Sequence, residues 1–78
     1  MSWNNVIPVD IILKRIEDSE ECKKLVLEFF NGNKKKTKFW FDTPNPLLGK
    51  VSPNQMINSR RVYKLLKWIK TQLEENKI

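Results

Sequence analysis

Trp40-Phe41-Asp42-Thr43-Pro44-Asn45-Pro46-Leu47-Leu48-Gly49-Lys50-Val51-Ser52-Pro53 constrains the architecture of this chain more than any other segment. Pro44, Pro46 and Pro53, with Gly49 and Asn45, sit between segments that read as helices. The residue before each proline is steered away from helix, so Pro44-Asn45-Pro46 runs extended. Gly49 supplies a backbone conformation closed to other residues. A connection needing only to turn the chain has no use for Leu47, Leu48 and Val51. Apolar side chains in so stiff a turn point to a connection folded onto a core, or one shaped for a partner. Ser52-Pro53-Asn54-Gln55 then opens a short helix through Met56 and Ile57. Ser52 caps it, Pro53 takes the first helical position, and Gln55 bonds back to the cap.

Downstream, Asn58 or Ser59 is expected to cap a last helix running to about Asn76. Val62, Leu65, Leu66, Ile69 and Leu73 form its apolar stripe, with Arg60, Lys64, Lys67 and Thr71 opposite. Tyr63 and Trp68 stand on the shoulders of that stripe, where a second copy or a partner could cover them.

Upstream, Lys34, Lys35, Lys36 and Lys38 crowd the start of any helix beginning at Asn33, where the helix dipole disfavours cations. A short helix carrying Trp40 and Phe41 inward is expected there, with its first turn frayed. The lysines read as a solvated run or as a contact for phosphate or an acidic partner. Asn31-Gly32-Asn33 is a stop signal in which Gly or Asn takes the left-handed conformation. Before it, Cys22, Leu25, Val26, Phe29 and Phe30 share one helical face, with Glu20, Glu21, Lys24 and Glu28 on the other. Asp18 or Ser19 is expected to cap that helix, with Glu20 and Glu21 in its first turn. An earlier helix would open at Pro8 and carry Val9, Ile12, Leu13 and Ile16 on its apolar face. The expectation is therefore an all-α bundle of about four to five short helices, residues 1–78 forming one domain.

Composition narrows the function. The chain has 78 residues, of which 40% are hydrophobic and 31% charged, an ordinary globular balance. A chain of this size buries only about 60–65% of its unfolded surface, so added area from a dimer or partner is valuable. Net charge is +6, and it is unevenly spread. Residues 1–33 carry four Lys/Arg against six Asp/Glu, whereas residues 34–78 carry eleven against three. A basic second half attracts nucleic acid, anionic lipid or an acidic protein surface. Histidine is absent, which removes the commonest proton shuttle and metal ligand. Cys22 stands alone among apolar neighbours, and Gly32 and Gly49 cannot build a glycine-rich nucleotide loop. No catalytic, cofactor or metal site is expected. No apolar run approaches the roughly 18–20 residues of a membrane span. The start, Met-Ser-Trp-Asn-Asn, shows no secretory pattern. With one cysteine, these features lead us to expect a cytoplasmic protein.

Trp40-Phe41, Pro44-Asn45-Pro46-Leu47-Leu48-Gly49, Ser52-Pro53, Met56-Ile57, and Val62 with Leu65, Leu66 and Ile69 follow one another in a distinctive order. In that order and spacing the second half of the chain resembles the toxin-binding domain of the MbcA/ParS/Xre antitoxins. The Cys22–Phe30 segment is similar to the helix preceding that motif. Lys50 stands where the family usually has a second glycine after Leu-Gly. Ser59-Arg60-Arg61 lacks the glycine common ahead of the closing Val. The resemblance implies a small helical domain that neutralises a toxin, commonly a RES-domain enzyme degrading NAD, by covering its active site. It also implies a tendency to homodimerise. Members often carry a separate helix-turn-helix segment that binds promoter DNA, and no such unit is recognisable in the first 35 residues. On this reading the partner-binding candidates are Asn45, Leu47, Lys50, Arg60, Arg61, Tyr63, Lys64 and Trp68. The other reading is a small basic DNA-binding regulator built on Ser52–Leu73. Plain self-assembly through Tyr63 and Trp68 is a third.

Overall fold

The structure is a computed structural model that describes residues 9–76, with side chains from Asp10 onward. Among these residues it is all-α: α1 (Val9–Phe29), α2 (Lys34–Asp42), α3 (Pro53–Asn58) and α4 (Val62–Glu74), with a 3-10 turn at Pro46–Leu48. The proposed helix start at Pro8 lies outside the described residues.

The expected break at Asp18 or Ser19 is absent, and α1 is one continuous helix of 21 residues. Neither Gly nor Pro occurs between Val9 and Phe29, so a cap would have to compete against uninterrupted propagation. Asp18 serves the helix differently. Its carboxylate, on a side chain only 4% exposed, lies 3.1 Å from the Lys14 ammonium one turn earlier. Glu21, likewise displaced from a first turn to mid-helix, reaches the Lys70 ammonium on α4 at 3.5 Å.

Asn31-Gly32-Asn33 ends α1 as its composition predicts. Asn31 (φ 57°) and Gly32 (φ 81°) are both left-handed. The Gly32 N–H reaches back to the Leu27 carbonyl at 2.8 Å and the Asn31 N–H to that of Glu28 at 3.0 Å, a Schellman ending. Asn33 then caps α2, its side chain accepting from the Lys36 N–H at 3.0 Å. This cap satisfies an amide at the crowded lysine end, and α2 begins at Lys34. Thr37, buried at the centre of α2, donates its hydroxyl to the Asn33 carbonyl at 2.8 Å.

α4 is the element around which the others assemble. Val62, Leu65, Leu66 and Ile69 are buried against Cys22 and Val26 of α1, Phe41 of α2 and Met56 of α3. The predicted stripe is therefore core, with Leu73 packed at its edge. The helix starts later than expected, at Val62; Asn58 closes α3 and Ser59 is its C-cap. A Schellman ending produces this shift: the Arg61 N–H reaches the Met56 carbonyl at 2.8 Å and the Arg60 N–H that of Ile57 at 3.3 Å. Arg60 must be left-handed to close it, and its φ is 65°. No helix of the described residues is long and apolar enough to cross a membrane.

The apolar residues of early α1 do not join this core. At 1.5 Å per residue α1 is about 31 Å long against about 20 Å for α4, and the molecule measures 49 × 23 × 23 Å. Ile11, Ile12, Leu13 and Ile16 remain 42–52% exposed. Helical spacing marked Ile12, Leu13 and Ile16 as apolar-faced, but the bundle is too short to cover them.

Candidate functional site

The Pro/Gly-rich turn is built around Asn45. Its N–H donates to the Val51 carbonyl at 3.0 Å, and its own carbonyl accepts from Leu48 at 2.9 Å and Lys50 at 3.0 Å. Its side chain accepts from the Leu47 N–H at 2.9 Å. These bonds pair Asn45 with Val51 in an antiparallel bridge and wind Pro46–Leu48 into a 3-10 turn. Gly49 (φ 78°) and Lys50 (φ 67°) complete the reversal in left-handed conformations. Ser52 and Gln55 close the far side as a complete capping box: Gln55 N–H to Ser52 Oγ at 3.1 Å, Ser52 N–H to Gln55 Oε1 at 2.7 Å.

The turn splits its apolar residues between two jobs. Leu48 and Val51 pack against the core. Leu47 is 69% exposed, an apolar side chain held outward on a backbone with few degrees of freedom. Lys50 is exposed beside it in sequence. Asn45, a candidate contact, spends its carboxamide oxygen inside the turn and is in the first place architectural.

The remaining candidates occupy the α3–α4 junction and α4. Arg60 and Tyr63 face Ile11, Lys14 and Arg15 across a depression of about 460 Å³, with Asp10 and Asp18 on its lining. Tyr63 is 61% exposed, and the Lys67 ammonium lies 6.0 Å from its ring centroid. Arg61 lines a smaller hollow of about 190 Å³ with Val51, Gln55 and Met56. Lys64 is exposed on α4. Trp68 finds cover within its own chain: it is half-buried and stacked on Trp40, centroids 6.3 Å apart and planes at 19°. Trp40 in turn meets Phe41 edge-on at 5.0 Å. Of the two shoulder aromatics, Tyr63 alone keeps most of its surface outward.

Sequence reasoning did not find the groove between α1 and α2. Lys23 and Lys24 of α1 meet Lys34 and Lys38 of α2 around a space of about 450 Å³ also lined by Leu27 and Phe41. The spacing of Lys34 and Lys38, one turn apart, was visible in the sequence. Their juxtaposition with Lys23 and Lys24 required the packing of α2 on α1.

The one thiol is inert by placement. Cys22 is fully buried, and desolvation, with a smaller push from Asp18 and Glu21, raises its pKa to about 12. Comparison with family models, with curated proteins and with solved structures gave no significant match for this chain.

Proposed function

We propose that this chain is a non-catalytic antitoxin-like binding protein that neutralises a protein toxin by covering its active site, with a RES-domain NAD-degrading enzyme as the toxin. One observation carries the reading: the turn centred on Asn45 holds Leu47 outward, 69% exposed, on a hydrogen-bonded and proline-stiffened backbone. A pre-ordered turn loses little entropy on docking, so an exposed leucine there is a more effective anchor than one on a mobile loop. A second feature supports it. Lys50 is left-handed where the antitoxins this chain resembles usually carry a second glycine, and left-handed Arg60 falls within Ser59-Arg60-Arg61, the segment that lacks the glycine common ahead of the closing Val. The exposed early turns of α1 and Tyr63 offer apolar area for a homodimer.

In cells producing a RES-domain toxin from the same genome, co-production of this chain should preserve growth and the NAD pool. Leu47→Asp should abolish protection while leaving the helical circular dichroism unchanged. Failure of the wild-type chain to bind or protect against such an enzyme overturns the proposal.

The DNA-binding alternative also has a specific feature in its favour. α3 and α4 are joined by the three residues 59–61, a turn length found in helix-turn-helix units. Arg60, Arg61, Lys64, Lys67 and Lys70 are all exposed along that junction and α4. Affinity for duplex DNA that falls steeply with salt and prefers one sequence would favour it. Weak, unselective binding would favour the antitoxin reading.

A further inference from the structure

The lysine run of α2 does not act as one patch. Lys36 turns away and places its ammonium 5.2 Å from the Phe30 ring centroid. Lys34 and Lys38 line the groove shared with Lys23 and Lys24 of α1. The ion pairs Lys14–Asp18 and Lys70–Glu21 lie outside it. The one carboxylate on its lining, that of Asp42, is engaged by the Asn54 side-chain amide. Four lysines thus line a groove with apolar side chains among its walls, and the repulsion between their charges is relieved by an occupant of opposite charge.

We propose that this groove is a docking site for an acidic, amphipathic peptide segment of a partner protein. Carboxylates of the segment would pair with Lys23 and Lys24 on one wall and Lys34 and Lys38 on the other. An apolar side chain between them would rest chiefly on Leu27, which is half-buried. The size fits: about 450 Å³ lies within the range of drug-sized sites, about 300–1,000 Å³. Such a space takes a short length of chain and not a duplex. A single strand is disfavoured too, because Phe41 is 4% exposed and offers no ring face on which a base could stack. The proposal rests on charge and shape at the α1–α2 groove and does not depend on the identity of any toxin.

The test is a fluorescence anisotropy titration of the full chain with fluorescein-labelled Glu-Glu-Leu-Phe-Glu-Glu. Companion probes are the same peptide with Gly-Gly at its centre and a ten-nucleotide thymidine strand. Lys23→Gln/Lys38→Gln should weaken the Leu-Phe peptide about five- to tenfold. The charge-matched pair Lys64→Gln/Lys67→Gln on α4 should change it less than about twofold. If the first pair fails to fold by circular dichroism, Lys24→Gln/Lys34→Gln replaces it with the same expectation. Equal weakening by groove and control pairs, or equal binding of the Gly-Gly peptide, would reduce the effect to net charge and overturn the proposal. Tighter binding of the thymidine strand at the same lysines would assign the groove to nucleic acid and overturn it as well.

Discussion

Replacing Arg60 by glycine should stabilise this protein, although it removes a long side chain from a helix junction. Arg60 has φ 65°, and its side chain is exposed with no hydrogen bond or ion pair among the described residues. Nothing local therefore offsets the left-handed penalty, about 1–2 kcal/mol for a residue with a Cβ. Glycine removes that penalty but adds unfolded-state entropy costing about 0.5–1 kcal/mol. The net gain is about 0.5–1 kcal/mol. For 78 residues, an unfolding entropy of about 2.1 cal/mol/K per residue makes this a rise of roughly 3–6 °C in Tm. Arg60→Asn removes the same charge and should also raise Tm, by less, because asparagine tolerates the left-handed region. Arg60→Val should lower it. Lys67→Gly, in the interior of α4 with ordinary helical geometry, should cost about 1 kcal/mol. Thermal and urea melts followed by circular dichroism at 222 nm give all four. A lower Tm for Arg60→Gly, or an unchanged one for Arg60→Val, would refute the backbone argument.

Three further outcomes follow from the packing. Ser52→Ala removes one arm of the capping box on a buried N-cap and should cost about 1 kcal/mol by urea denaturation. Leu65→Ala, at a fully buried position, should cost about 2–4 kcal/mol, whereas Leu13→Ala, 52% exposed, should cost under about 1 kcal/mol. Equal losses would mean that early α1 is covered in solution. Burial holds the Cys22 pKa near 12, above its ordinary value of 9.0, so the unfolded chain releases the thiol proton first. Its stabilising contribution is full below pH 9 and is lost as pH rises from 9 towards 12. Urea midpoints of the wild type should therefore fall more steeply above pH 9 than those of Cys22→Ala, and Ellman's reagent should label Cys22 only on unfolding.

Much of the fold was legible because its signals are local. The Ser52/Gln55 box, the Asn31-Gly32 ending and the Val62–Ile69 stripe each depend on residues within about two turns of one another, and each stands where it was expected. Errors arose where two local signals competed. Asp18-Ser19 has the composition of a cap, but an uninterrupted helix with Lys14 one turn back is a better use of the same carboxylate. Asn58-Ser59 also looks like a cap for α4. Instead it closes α3, because a left-handed Arg60 lets its own N–H and that of Arg61 reach the carbonyls of Ile57 and Met56 first. Neither contest is decided by composition.

The helical class, the turn at 44–53 and the faces of α2, α3 and α4 follow from residues close together in the chain. Period and capping chemistry act over distances shorter than the chain's folds. Helix packing settles the rest: Trp68 is covered by Trp40, early α1 keeps its apolar side chains exposed, and Lys23 and Lys24 face Lys34 and Lys38 across one groove. Each of these depends on which helices meet and how far each extends past its neighbour. Side chains that share no turn of helix can be brought together only by packing.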